Sequence, residues 1–208
     1  MNSKRTSLEK TKVLVGMAIF TALVVVLQQL AGTIKIGAFS PSLVLVPIVI
    51  GAASYGAASG AWLGLVFGAL VLMGCITGTD LGGNAMWNVN PFVTALICIV
   101  KGVAAGYLAG LTFKALQKKS QIAATVAAAI VCPLVNTGLF TIGAVTVFKP
   151  LLMEWAAGWA AQTGRAADTP LVVYIFLGMI GLNFLVEMGI NVVLSPVIVR
   201  ILKIRKIA

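Results

Sequence analysis

Lys101 and Glu187 are ionisable residues set inside long apolar runs of this 208-residue chain. Inside a bilayer each costs several kcal/mol unless paired or hydrated, which makes both candidates for binding a solute or moving a proton. Glu187 lies in LNFLVEMGIN, with Asn183 and Asn191 spaced i, i+4, i+8, so a helix puts all three on one face. Asn136, in CPLVNTGLF, brings an amide from a second run, and Pro133 three residues earlier can kink that helix and free its carbonyls. A polar stretch, TGTDLGGNAMWNVNP, adds Asn84, Trp87, Asn88 and Asn90. One ammonium among amides and an indole suits a small anionic solute, because the charge pairs with a carboxylate or phosphate once both are desolvated. The competing reading is that the polar residues bond to one another and only fix the register of packed helices.

The elements that must position these residues are apolar helices. Sixty per cent of the residues are hydrophobic, 10% are charged and the mean hydropathy is +1.07. Soluble domains carry roughly 25% charged residues, so the composition is that of an integral membrane protein. A bilayer core of about 30 Å takes roughly 20 apolar residues per helix. On that scale the chain divides into six spans, near 11–31, 42–56, 57–76, 92–116, 122–148 and 171–202. The second and third are nearly continuous, with a tight turn expected at Tyr55-Gly56. Gly56, Gly60, Gly64 and Gly68 recur every fourth residue, as do Gly102, Gly106 and Gly110, the pattern that lets helices approach closely in lipid. The expected fold is all-α, a compact bundle of six transmembrane helices forming one domain over residues 1–208.

Charge gives an orientation. With the N-terminus inside, eleven of the fifteen basic residues collect at cytoplasmic helix ends, among them Lys114, Lys118, Lys119 and Arg200. Both termini are then cytoplasmic and the polar loops face outward. MNSKRTSLEKTK reads as a basic lead into the first span and lacks a secretory cleavage pattern. The net charge of +10 is spread over helix ends, which argues against nucleic acid as a partner. Histidine is absent, so imidazole metal ligands and His–Ser or His–Cys pairs are excluded. Cys75, Cys98 and Cys132 have no metal or disulfide spacing. No metal, cofactor or catalytic residue is expected, and the minimal cytoplasmic loops leave no room for a nucleotide-binding domain.

The runs PSLVLVPIVIGAASYGAASGAWLGLVFGALVL, NPFVTALICIVKGVAAGYLAGL and PLVNTGLF resemble the substrate-binding S components of energy-coupling factor (ECF) vitamin transporters. The resemblance covers nearly the whole chain and implies a bacterial plasma-membrane protein. Such a protein binds a water-soluble vitamin or precursor from outside, docks on a membrane coupling subunit (the T component) and is driven by two ATP-binding subunits. It implies a pocket built from Trp87, Asn84, Asn88, Asn90, Lys101, Asn136, Asn183 and Glu187. A small-residue contact with the coupling subunit maps to Ala18 and Ala22 of GMAIFTAL. Pantothenate, a hydroxylated carboxylate, fits one cation plus amides best; folate, riboflavin and cobalamin are the other expectations. The alternative from a different class is a stand-alone proton-coupled carrier of a small organic solute that uses Glu187.

Overall fold

The computed structural model describes residues 7–31, 43–166 and 168–207. The described residues are helical almost throughout. Helix α1 is Ser7–Ala31, α2 Leu45–Tyr55, α3 Ala57–Thr77, α4 Leu81–Val89, α5 Pro91–Leu116, α6 Gln121–Val147 and α7 Lys149–Gln162. A single turn, α8 (Leu171–Val173), runs into π-helical turns over Tyr174–Met179, and α9 is Gly181–Ile207. Four of these, α1, α3, α5 and α6, are long and apolar enough to cross a membrane, and the pair flanking residue 180 makes a fifth if it counts as one bent span.

Two findings refine the six-span expectation. In the place of the second span stands α2, whose 11 residues rise about 16 Å, half a bilayer core. The break that separates it from α3 falls at Gly56, where φ of 101° is accessible to glycine and strained for other residues. The last span is not one rod: Leu171–Met179 and Phe184–Arg200 meet at 45°. The amide of Ile180 donates to the carbonyl of Ile175 at 3.0 Å, an i→i+5 bond that widens the turn. Gly181 follows because a Cβ there would run into the Phe176 carbonyl.

The bundle is organised by the antiparallel contact of α3 with α5. A Cβ added at Gly60, Gly64 or Gly106 would overlap backbone of the facing helix, the partners being Gly106, Gly102 and Gly60. Gly68 meets the Cys98 carbonyl in the same stripe. Backbone-to-backbone approach of this kind replaces the hydrophobic drive that is missing between helices in lipid.

Two apolar cores flank this seam. One joins Val24, Leu45, Ile48, Leu63, Phe67 and Ile198 from α1, α2, α3 and α9 with alanines of α5 and α6. The other joins Met86, Ile97, Phe148, Leu152, Tyr174 and Met179 from α4 to the π-helical turns. Leu70 and Val71 pack on the first core and Ile97 and Met179 belong to the second, yet all four line one cavity between them.

Candidate binding cavity

The cavity has a volume of about 490 Å³, large enough for a vitamin-sized solute. Its walls come from α1, α3, α4, α5, α6, the π-helical turns and α9. Most of the wall is apolar, and the polar groups are few and dispersed around it.

Lys101 projects from the middle of α5, one residue before the Gly102 contact, so the seam fixes its backbone. Its Nζ lies 4.9 Å from the ring centroid of Phe140 and 6.0 Å from that of Phe67. Ring faces attract an ammonium without neutralising it, so the charge is held in place and still able to attract an anion. Asn136 is 4% exposed, on α6, and its Oδ1 is a buried acceptor with no hydrogen-bond donor among the described residues. Glu187 is 5% exposed and lines the cavity from α9. Below it Asn191 Nδ2 donates to the Glu187 carbonyl at 2.8 Å, and Ser195 Oγ donates to the Asn191 carbonyl at 3.0 Å. That polar column bonds within α9, so Asn191 supports the helix while Glu187 faces the space.

The residues of the polar stretch 77–91 have different surroundings. Asn90 caps α5, its side chain accepting from the Val93 amide at 3.1 Å, with Pro91 in the first turn. Asn84 Nδ2 donates at 2.7 Å to the Cys75 carbonyl, one of the last carbonyls of α3. Asn88, exposed, donates to Asn84 Oδ1 at 3.2 Å. Trp87 is half-buried on α4. None of these four is in the cavity wall, whereas Lys101, Asn136 and Glu187 are. Asn183 lies on α9, and its side chain is outside the described residues.

Other wall residues escaped the sequence reading. Asp80 caps α4 by accepting from the Gly83 amide at 3.0 Å and also faces the cavity. Gln28 and Gln29 enter from α1, and Gln28 Oε1 is a second buried acceptor with no donor among the described residues. Cys75 and Cys98, 3.9 Å apart at sulfur, sit where α3 and α5 border the space. The signal for Asp80 was present, since DLGG has the form of an N-cap followed by a helix start. The residues that line the cavity therefore carry one ammonium, two carboxyl groups, three amides and four threonine hydroxyls, in a wall that is otherwise apolar.

A second depression lies on the outside of the bundle, between α1 and α3. Leu14, Met17, Ala18, Thr21, Ala22 and Trp62 line it, and Trp62 Nε1 donates to Thr21 Oγ1 at 3.4 Å. The walls are almost wholly apolar, and the alanines four apart leave its floor open.

Among known families, the model for the substrate-specific component of ECF transporters matches residues 12–199. No curated protein matches the chain.

Proposed function

From the premise that this chain belongs to the ECF transporter substrate-specific components, a family of membrane-embedded, substrate-binding transport subunits, we propose that it captures a small anionic vitamin in the cavity around Lys101 and delivers it into the cell. The observation that carries the proposal is the composition of that cavity. A single ammonium lies beside two phenyl rings in the wall of a space of about 490 Å³ that Asp80, Asn136 and Glu187 also line. Pantothenate is the ligand favoured: its carboxylate pairs with Lys101, and its hydroxyls and amide N–H donate to acceptors such as Asn136 Oδ1 and the Asp80 and Glu187 carboxyl groups. A ligand with several negative charges is disfavoured by those same carboxyl groups. Trp87, Asn84, Asn88 and Asn90 then act as the frame that ends α3 and starts α5 above the cavity, and Asn183 remains a proposed contact on α9.

The family implies a T component and two ATP-binding subunits as partners, which supply the energy for uptake. The groove at Ala18 and Ala22 is the proposed face for the T component, because small residues there admit a partner helix more closely than larger side chains would. The bias of basic residues toward one set of helix ends supports an orientation with both termini in the cytoplasm and the cavity facing outward, in what we take to be a bacterial plasma membrane.

The deciding experiment is native mass spectrometry of the detergent-purified chain, followed by melting curves against a panel of B vitamins and precursors. A retained pantothenate, or a melting temperature raised by it at micromolar concentration, supports the reading. Silence across the panel overturns it. The presence of Glu187 in the cavity wall favours one second reading, a proton-coupled carrier. That carrier accumulates solute in liposomes on its own under a pH gradient, whereas an ECF component needs its ATPases.

A further inference from the structure

Helix α1 differs from the rest of the bundle in how it is held. Val24 is its one fully buried side chain among the described residues, while Leu14, Val15, Ile19, Leu23, Val26 and Leu30 are all more than 40% exposed. Its polar and aromatic anchors lie low on the helix, Gly16 beneath the Tyr55 hydroxyl, the Phe20–Tyr55 edge contact at 6.2 Å and Thr21 under Trp62, while higher up Val24 and Leu27 hold it by apolar packing on the first core. Toward its far end the helix turns Gln28 and Gln29 to the cavity. Gln28 Oε1 is buried there with no donor among the described residues. A buried acceptor left without a donor is costly, so a donor supplied from the cavity strengthens binding beyond a surface contact.

We propose that Gln28 is a ligand-binding residue that accepts a hydrogen bond from a hydroxyl or N–H of the bound solute, and that this bond couples the cavity to the groove lower on α1. The inference rests on the reading of the cavity as the ligand site and of the groove as the docking face. The groove residues Leu14 to Ala22 lie roughly 9–21 Å below Gln28 along one rigid helix. A ligand gripping both Gln28 on α1 and Lys101 or Asn136 on the bundle adds a polar tie to the apolar packing that holds this end of α1. Fastening it changes how the groove is presented to a partner. The effect is reciprocal: whatever factor the ligand applies to partner affinity, the partner applies to ligand affinity.

The test uses the full chain in lipid nanodiscs with radiolabelled pantothenate, read by equilibrium binding and by hydrogen exchange of the α1 amides. Gln28→Met keeps the length and packing of the side chain and removes the acceptor; its unliganded melting temperature checks the fold. Gln28→Glu keeps an acceptor. Expected results are ligand-induced protection of residues 24–30 in the parent chain, and affinity about five- to tenfold weaker in Gln28→Met. At saturating pantothenate Gln28→Met shows no added protection in 24–30, while Gln28→Glu does. Unchanged affinity in Gln28→Met, or protection that persists at saturation, overturns the role of Gln28 and leaves the vitamin-binding reading intact. If the parent chain binds another vitamin of the panel, the same series is run with that vitamin. Failure of the parent chain to bind any of them overturns both.

Discussion

Replacing Lys101 by methionine isolates the charge on which the ligand assignment depends. The two side chains have similar length, so the apolar stem is kept and the Gly102 contact beside it is untouched. What disappears is an ammonium 4.9 and 6.0 Å from the ring centroids of Phe140 and Phe67, on a residue that lines the cavity. A carboxylate at about 4 Å in a medium of effective dielectric about 20 is attracted by about 4 kcal/mol. Desolvating both groups takes back part of this, and measured charge-assisted bonds net about 1.5–3 kcal/mol. Lys101 is half-buried, in keeping with that range, and the expected loss of pantothenate affinity in Lys101→Met is about 10- to 150-fold.

The assay is a comparison of two ligands on two proteins by isothermal titration. Pantothenol, in which an alcohol replaces the carboxylate, keeps the hydroxyls and the amide. The parent chain is expected to prefer pantothenate by the same factor that Lys101→Met loses, and Lys101→Met to bind the two alike. Lys101→Arg keeps the charge, yet its planar fork does not fit beside the rings as an ammonium does, so its preference falls between the two. Equal discrimination by the parent chain and Lys101→Met would refute the argument, because the ammonium would then be reading something other than the carboxylate. A Lys101→Met chain that discriminates less but binds pantothenate as tightly as before would refute the magnitude.

Three further outcomes follow from the same geometry. Gly64→Ala sets a new carbon 2.6 Å from the Gly102 carbonyl carbon, where ordinary contact starts at 3.4 Å, so α3 and α5 must part; the expected cost is about 1–3 kcal/mol, seen as a lower melting temperature in nanodiscs. Ala18→Leu combined with Ala22→Leu fills the outer groove, and it should leave vitamin binding by the isolated chain within twofold of the parent while abolishing co-purification with the T component. Glu187→Gln should leave uptake by the reconstituted complex dependent on ATP and indifferent to an imposed pH gradient; loss of a proton-driven component in that variant would favour the stand-alone carrier instead.

The readability of the sequence followed contrast with its surroundings. Lys101, Asn136 and Glu187 interrupt apolar runs, and a polar residue in such a run needs a reason to be there, so all three were marked in advance and all three line one cavity. The glycine stripes were equally plain, since a period of four has few meanings in an apolar helix, and they meet backbone to backbone as that period implies. The polar stretch 77–91 reads in two ways because asparagine does two jobs. Asn90 before a proline and Asn84 after the end of α3 carry cap signatures, and local hydrogen bonding to Val93 and Cys75 uses the very groups that a ligand would need. Gln28 and Gln29 passed unnoticed for the opposite reason: amides near the end of a span are ordinary, and only the packing of α1 against the bundle brings them to the cavity. The bend at residue 180 had no contrast at all. YIFLGMIG is uniformly apolar, and the choice between an α-turn and a π-turn there depends on what Tyr174 and Met179 pack against, not on their own propensities. That bend is nevertheless part of the cavity, since it sets Met179, Ile180 and Phe184 along its wall. The charge that attracts a ligand is thus written in single residues, while the shape that selects among ligands comes from contacts between distant ones.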